Sequence, residues 1–474
     1  MILTIDFGTT NLKAALIDKK GHFFNFLSKK VPTQVNNKIY EVDSKLYLDF
    51  ILEYLASCNS KDIEAIAISS NGPSFLSVYS EISFNNGKFD FNGSNTRLWM
   101  DKRGEKYSKP VSDFYGSYID GSFFLPAILN IRDNEKQIYE NTKYFLTIDA
   151  FINYALTNKA LIVNNADLLM KYYWNDESLS YFNLEKDKFP KFIDSGEIIG
   201  KIDKSIANYF NLSEDIKIIA GGSDFYFSII GSNISQKNVL ADINGTSEGL
   251  NLCIEKPIKD DRFLCYEHPL KNHYNLSGVI SNSGISINWI RKILNLKSDE
   301  FNKIYELAKE AKPNNLIFLP YLTGERAPIW NPEATGQFFN LTIDTRAEEL
   351  AKAVIEGNIF AFKSVLNCFE ELGFTIEEVH TTTSKYNLDF YYQLKSNIIN
   401  KKLVIYKTQS AELLGLSILG FTAIKVYNNY CQATNNIEFE SKEFYPQKQD
   451  QDYFDKKFNL FNELYAKTKS LMSK

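Results

Sequence analysis

The chain has little to build a disulfide or metal framework with. Its five cysteines (Cys58, Cys253, Cys265, Cys368 and Cys431) are odd in number, scattered, and nowhere spaced CxxC. They read as free thiols in a reducing compartment. No apolar run approaches the ~20 residues that a membrane helix needs, which excludes a spanning helix. The opening segment is unlike a signal peptide, since its first charge is the acidic Asp6. There is no dense Lys/Arg block, and the net charge is -5, so neither nucleic acid nor a membrane surface is an expected partner. These absences leave a cytoplasmic protein as the expectation.

What is present is length and patterning. A chain of 474 residues exceeds one compact core, so two domains are expected. The composition, 44% hydrophobic and 23% charged, is that of a globular protein, so both domains are expected to fold. The opening runs "MILTIDF", "LKAALID" and "HFFNFLS" are separated by tight turns and predict a three-stranded antiparallel meander. "DIEAIAISS" reads as a buried strand, and helical patterning dominates much of 104–210. "IKIIAGGSDFYFSIIGSN" reads as a strand, a Gly-Gly turn and a helix entered just after Asp224. "VLADINGTSEGL" repeats the opening in outline, with Asp242 and Gly245-Thr246 echoing Asp6 and Gly8-Thr9. Two such hairpins half a chain apart predict a duplicated α/β domain. A long amphipathic helix over 346–373 ends at a glycine, and "FTIEEVHTTTSKYN" and "INKKLVIYKT" add strand-like runs.

The chemistry sits in these turns. A Gly-Thr-Thr turn offers fixed backbone donors and hydroxyls to anionic oxygens, with no large side chain in the way. A buried aspartate two residues earlier cannot face phosphate alone, but it can face a magnesium ion bound to phosphate. Two readings are open for Asp224: a helix N-cap, or the general base for a hydroxyl that attacks phosphorus.

Taken together, the chain resembles the FGGY carbohydrate kinases of the actin-like ATPase superfamily over nearly its whole length. The segments are "IDFGTTNLKAALID", "LWMDKR", "YFLTIDAFINYALTN", "AGGSDFYFSIIG", "INGTSEGL" and "FLPYLTGERAPIWNPEATGQFFNL" followed by "AVIEGNIFAF". The resemblance implies an α/β fold of two ribonuclease-H-like domains, 1–238 and 239–474, each with a central mixed sheet flanked by helices. It implies an active-site cleft between them. It implies ATP and Mg²⁺ as cofactors and a terminal hydroxyl of a small sugar, polyol or sugar acid as acceptor, a pentulose such as xylulose or a gluconate-like acid. A homodimer is the family default.

Residue by residue, Asp224 would be the catalytic base and Asp6 the metal residue. Gly8, Thr9, Thr10 and Asn11 would line the first phosphate site, with Gly245, Thr246 and Ser247 from the second domain. The acceptor pocket would draw on Asn71, Gly72, Trp99, Asp101, Arg103, Asp224 and Phe225. Trp99 reads equally as core or sugar platform, Asp101–Arg103 as ion pair or ligand contact, and Phe225 as packing or sugar contact. Glu325-Arg326 reads as structural.

Two departures stand out. Where sugar kinases of the xylulose and gluconate types show Met-His, this chain has Gly72-Pro73; "GERAPIWNPEATG" leans toward the gluconokinase-like members. Where the family has a Gly-Gly-Gly-Ala-Lys loop under the adenosine, this chain has "TTTSK", and Thr382, Thr383 and Ser384 take the nucleotide positions. Either the adenosine sits differently, or nucleotide binding is weakened, or the loop is no longer a nucleotide site. A catalytically weak relative that senses sugar or nucleotide is therefore the alternative to a kinase. An actin-like or chaperone-like ATPase explains the hairpins but not the other segments.

Overall fold

The computed structural model describes residues 1–36, 39–58, 62–164, 173–232, 238–245, 247–268, 273–297, 299–383 and 388–472. The chain forms two compact units that are not two continuous halves. The first comprises Met1–Gly231, Glu267–Lys271 and Ser410–Glu438; the second comprises Ser232–Tyr266, Asn272–Gln409 and Phe439–Lys474. Among the described residues, no helix is long and apolar enough to cross a membrane.

The first unit is built on a six-stranded sheet of β1 (Ile2–Phe7), β2 (Asn11–Ile17), β3 (Phe23–Lys30), β4 (Ala65–Ser70), β5 (Ile198–Lys201) and β6 (Lys217–Ser223). Its order is β5-β6-β4-β1-β2-β3. The expected meander β1-β2-β3 is present and antiparallel, and β4 lies parallel to β1. Both β1 and β4 are buried at every position, as strands covered on both faces require, and apart from Asp6 their residues are apolar or small. A second sheet runs in the order Tyr144–Thr147, Phe75–Val78, Thr96–Arg97, Ile39–Val42, Gln34–Asn36. Helices dominate the stretch 104–210 as its patterning suggests: Glu105–Tyr115, Phe124–Asn134, Lys136–Asn141, α1 (Ile148–Thr157), Asp176–Tyr181 and Lys204–Tyr209. Between these helices lie the short strands Tyr144–Thr147, Leu161–Asn164, Lys191–Asp194 and β5. Short apolar runs there satisfy either period, and sheet partners decide.

Gly221-Gly222 is not a turn. Both lie inside β6, where the register against β4 shifts between Ile219 and Gly222. A Cβ on Gly221 would stand 1.8 Å from the Ile68 carbonyl, so only glycine lets β6 approach β4 there. Helix α2 (Asp224–Gly231) starts on Asp224 itself.

The second unit repeats this plan. Its strands are β7 (Val239–Asn244), β8 (Glu248–Ile254), β9 (Leu264–Glu267), β10 (Tyr274–Ile280), β11 (Glu378–Thr383), β12 (Lys402–Lys407) and β13 (Glu440–Phe444), in the order β9-β10-β8-β7-β11-β12-β13. From β10 inward, neighbours pair antiparallel, antiparallel, parallel, parallel, antiparallel. The first unit, read from β3, gives the same five relations in the same order. Duplication is thus present in strand order and direction, and it makes β1 and β7 equivalent. Helix α3 (Ala347–Glu371) is the long helix expected, ended by Gly373 at φ 88°. Helix α4 (Asp389–Ile399) joins β11 to β12 as a parallel crossover.

Helix α5 (Ala411–Ala423) returns the chain to the first unit, capped by Ser410, whose hydroxyl accepts from Leu413 N–H. It lies against α2 so closely that a Cβ on Gly415 would meet the Phe227 carbonyl at 2.1 Å, and one on Gly231 the Ala411 carbonyl at 1.9 Å. Paired glycines of this kind set the backbone separation of the two helices and bring Glu412, the second residue of α5, into the first unit's polar centre.

Candidate active site

The first unit gathers Asp6, Lys13, Asp224 and Glu412. Asp6 on β1 is 1% exposed. Ser69, its parallel-register neighbour on β4, donates its hydroxyl to Asp6 Oδ1 at 2.7 Å. Lys13 is Asp6's cross-strand partner on β2, which places both side chains on one face. Its Nζ stands 4.0 Å from Asp6 Oδ2 and 3.1 Å from Glu412 Oε2. Lys13 is thus engaged mainly by Glu412, and Asp6 Oδ2 accepts no hydrogen bond among the described residues.

Burial, and then the Glu412 carboxylate, push the Asp6 carboxyl up to about 7, against the opposing pull of Lys13 and Ser69. Burial, followed by Asp6 and Glu412, holds the Asp224 carboxyl well above its ordinary range. Burial acts upward on Glu412 too, but Lys13 and the Ser410 hydroxyl outweigh it, so its carboxyl lies below the ordinary value. Three carboxylates share one ammonium, an arrangement that favours an added cation. Among the described residues no three His, Cys, Asp or Glu side chains are grouped to hold a metal by themselves. Magnesium asks for less, since it retains waters and takes one or two carboxylates beside phosphate. Asp6, with one oxygen open and its charge under-compensated, fits that role.

Asp224 does not behave as a cap. A capping side chain accepts from the second or third N–H of its helix. Asp224 is instead the first helical residue and accepts the N–H of Phe225, the next residue, on Oδ1 at 2.7 Å. Its carboxylate is half-buried at a helix N-terminus, and Phe225 beside it is half-buried as well.

The expected acceptor residues divide. Trp99 is no core residue: it is 43% exposed, and its indole N–H donates to Thr9 Oγ1 at 3.1 Å, joining the acceptor loop to the first hairpin. Gly72 faces open space on the side where a Cβ would point. Asn71 is buried and spent on the protein, donating to the Phe7 carbonyl at 2.8 Å and accepting from the Ser74 hydroxyl. Asp101 accepts from Tyr40 N–H and Arg103 N–H, both at 3.1 Å, and from Arg103 Nε at 3.0 Å. Arg103 also pairs with Glu41 at 2.5 Å and approaches Glu135 at 3.7 Å, while Arg97 binds Glu135 at 2.6 Å. The guanidinium of Arg103 is committed to carboxylates. Arg103→Met is therefore expected to lower the unfolding free energy by about 2–3 kcal/mol, since Asp101 and Glu41 lose charged hydrogen bonds; urea unfolding measures it.

In the second unit, Gly245 and Ser247 lie in the turn between β7 and β8, with Gly245 exposed and Ser247 half-buried; Thr246 lies outside the described residues. The "TTTSK" loop is not a loop over its first three residues. Thr381, Thr382 and Thr383 are the last residues of β11, paired with β12, and Ser384 and Lys385 lie outside the described residues. A strand is where β-branched threonines fit best, so their restriction of φ carries no penalty there. Thr381 donates its hydroxyl to the Asp242 carbonyl at 2.8 Å. Glu325 is buried and accepts from Ser281 N–H and Arg326 N–H, in keeping with its structural reading.

Sequence reasoning passed over Lys13, Glu412, Glu248 and Lys395. Lys13 was within reach, because a hairpin turning at Gly8-Thr9-Thr10 sets residue 13 opposite residue 6. For Glu412 and Lys395 no local signal exists, as each arrives on a helix distant in sequence.

Residues 1–231 match the FGGY family of carbohydrate kinases, N-terminal domain, and residues 240–424 match its C-terminal domain. The chain is 24% identical to a xylulose kinase of Staphylococcus epidermidis, over 99% of this chain and 97% of that one. It is 26% identical to a gluconokinase of Bacillus subtilis, over 89% of this chain and 87% of that one. The solved gluconate kinase of Lactobacillus acidophilus superposes with a TM-score of 0.82 at 26% identity, covering 98% of both chains.

Proposed function

Since the chain belongs to the FGGY family of carbohydrate kinases, whose members use ATP, we propose that it moves the γ-phosphoryl group of ATP to a terminal hydroxyl of a small sugar, polyol or sugar acid. Xylulose-like pentuloses and gluconate-like acids are the first candidates, as the relatives named for both are about equally similar. The observation that carries this reading is the pairing of an open, under-compensated Asp6 with a raised, half-buried Asp224 in one unit.

In the proposed reaction the acceptor oxygen bonds to the γ-phosphorus, and the bond from that phosphorus to the β–γ bridging oxygen breaks, with its electron pair leaving on ADP. Asp224 takes the hydroxyl proton as the new bond forms, a contribution of about 10²–10⁴-fold. Asp6 would hold Mg²⁺, which when bound supplies positive charge against the phosphate oxygens. Gly8, Thr9, Thr10 and Asn11 present donors to phosphate, as do Gly245, Thr246 and Ser247 of the second unit. Thr382, Thr383 and Ser384 take the adenosine end; β11 is a parallel strand, and its C-terminal end is where such sheets bind ligands. Gly72, Trp99 and Phe225 face the acceptor, while Asn71, Asp101 and Arg103 hold the loops that carry them. A cytoplasmic location and a homodimer belong to the same reading, and sedimentation reports the second.

A coupled ADP-release screen over pentuloses, hexuloses, gluconate, glycerol and tetritols tests it. ADP release dependent on one acceptor class is expected. No acceptor-dependent release on any of them overturns the kinase reading.

A further inference from the structure

Asp6 and Lys13 face each other across β1 and β2, and opposite charges in that relation normally pair. Here they do not. Lys13 Nζ is 4.0 Å from Asp6 Oδ2, beyond hydrogen-bond reach, and 3.1 Å from Glu412 Oε2. A lysine is able to close on two carboxylates at once: in the second unit, Lys395 Nζ lies 2.5 Å from Asp242 Oδ2 and 2.6 Å from Glu248 Oε1. Lys13 closes on one. The opening this leaves is specific to one oxygen of Asp6. Oδ1 accepts the Ser69 hydroxyl at 2.7 Å. Beside Oδ2 there is neither the ammonium nor a Cβ from residue 8, where any side chain would begin 3.4 Å away. A buried carboxylate oxygen left open in this way is unfavourable unless something binds to it.

The carboxylate that takes Lys13 is itself held in place. Glu412 Oε2 also accepts the hydroxyl of Ser410, the residue that caps α5, so the side chain is fixed from the start of its own helix. The helix dipole favours a carboxylate in this first turn as well. Helix α5 is locked in turn against α2, where a Cβ on Gly415 would meet the Phe227 carbonyl at 2.1 Å. Helix α2 is the one that opens with Asp224. A single helix pair therefore sets both the proposed base and the anchor of Lys13.

We propose that Glu412 is a positioning residue: it draws Lys13 off Asp6 and so keeps Asp6 Oδ2 open for a divalent cation. Without the Glu412 charge, Lys13 closes on Asp6 and occupies the place of that cation. That the cation is the magnesium of Mg-ATP rests on the kinase reading. The competition between Lys13 and a cation for Asp6 needs neither nucleotide nor turnover.

The test is a double-mutant cycle on Mn²⁺ binding without nucleotide at pH 8, read from the electron paramagnetic resonance signal of free Mn²⁺. Glu412→Gln keeps an oxygen for the Ser410 hydroxyl, but its amide competes poorly with the Asp6 carboxylate for an ammonium. It is expected to weaken Mn²⁺ binding about 10–100-fold, the usual cost of losing an outer partner of a metal ligand. In a Lys13→Met background the same substitution is expected to cost far less, because no ammonium is left to close on Asp6. An equal cost in both backgrounds means that Glu412 acts by its own charge, and overturns the proposal. Undiminished Mn²⁺ binding by Glu412→Gln overturns it as well, and so does the lack of any binding that Asp6→Asn abolishes. The acceptor screen is scored apart from this cycle. ADP release with an equal-cost cycle removes only the role of Glu412, and the expected cycle without ADP release removes only the kinase reading.

Discussion

Asp224→Asn is expected to lower turnover by at least about 10²–10⁴-fold, the usual contribution of a general base, while the protein stays folded and still binds Mg-ATP. The separation of these effects follows from the contacts. The Phe225 N–H that Asp224 Oδ1 accepts can be accepted equally by an asparagine oxygen, so the start of α2 is preserved. What disappears is the proton acceptor and a carboxylate that Asp6 and Glu412 repel. Relief of that repulsion predicts a melting temperature at pH 8 equal to or above that of the unaltered protein. The raised carboxyl also sets the pH profile: it is protonated over a wider range than an ordinary aspartate, so kcat/KM climbs with pH until Asp224 ionises. A coupled assay, calorimetric titration with Mg-ATP and a thermal melt check the three parts. An asparagine variant with full turnover would remove Asp224 from the role of base.

Much of this site was legible in the sequence because its parts are local. An aspartate, a Gly-Thr turn and an apolar return form a hairpin within some fifteen residues, and two such hairpins predict two equivalent sheets. Strand order bears this out down to the sense of each pairing. What sequence reading misplaced came from ignoring the neighbour strand. Gly221-Gly222 looks like a turn until Ile68 is set against it, and "TTTSK" looks like a damaged loop until β12 pairs with its threonines. Trp99 and Arg103 are a further case. Both are large residues in one short segment, yet one is exposed toward Thr9 and the other is enclosed by Asp101 and Glu41. Only the second sheet of the first unit, which brings residue 41 beside residue 97, decides between them. Lys13–Glu412 and Asp242–Lys395 join residues 399 and 153 positions apart, and no local pattern encodes such pairs.

Asp6 should show the largest pH-dependent effects, in stability and in metal-nucleotide affinity, and their signs are opposite. Its carboxyl has an ordinary value of 3.8 and is pushed up to about 7 in the folded chain. Between those values the folded state holds a proton that the unfolded state has lost, so stability falls as pH rises through that window. At 1.36 kcal/mol per pKa unit the cost to the folded chain above pH 7 is on the order of 4 kcal/mol. Asp6→Asn removes the cost: it should melt above the unaltered protein at pH 8 and close to it at pH 5. Affinity runs the other way, because a cation beside Asp6 requires the carboxylate. Below pH 7 the Mg-ATP affinity of the unaltered protein should fall about tenfold per pH unit, from proton competition at one group, and Asp6→Asn should bind weakly with little pH dependence. The neighbours set where the fall begins. Lys13 and the Ser69 hydroxyl hold the value down, Glu412 holds it up, and Asp6 and Asp224 repel each other. Ser69→Ala deletes a stabilising hydrogen bond to the carboxylate while leaving charge and backbone untouched, so it should move the affinity profile to higher pH without changing its alkaline plateau. Calorimetric titrations from pH 5.5 to 8.5 on the three proteins measure this, and an Asp6→Asn protein with an unaltered pH profile would mean that another group holds the metal.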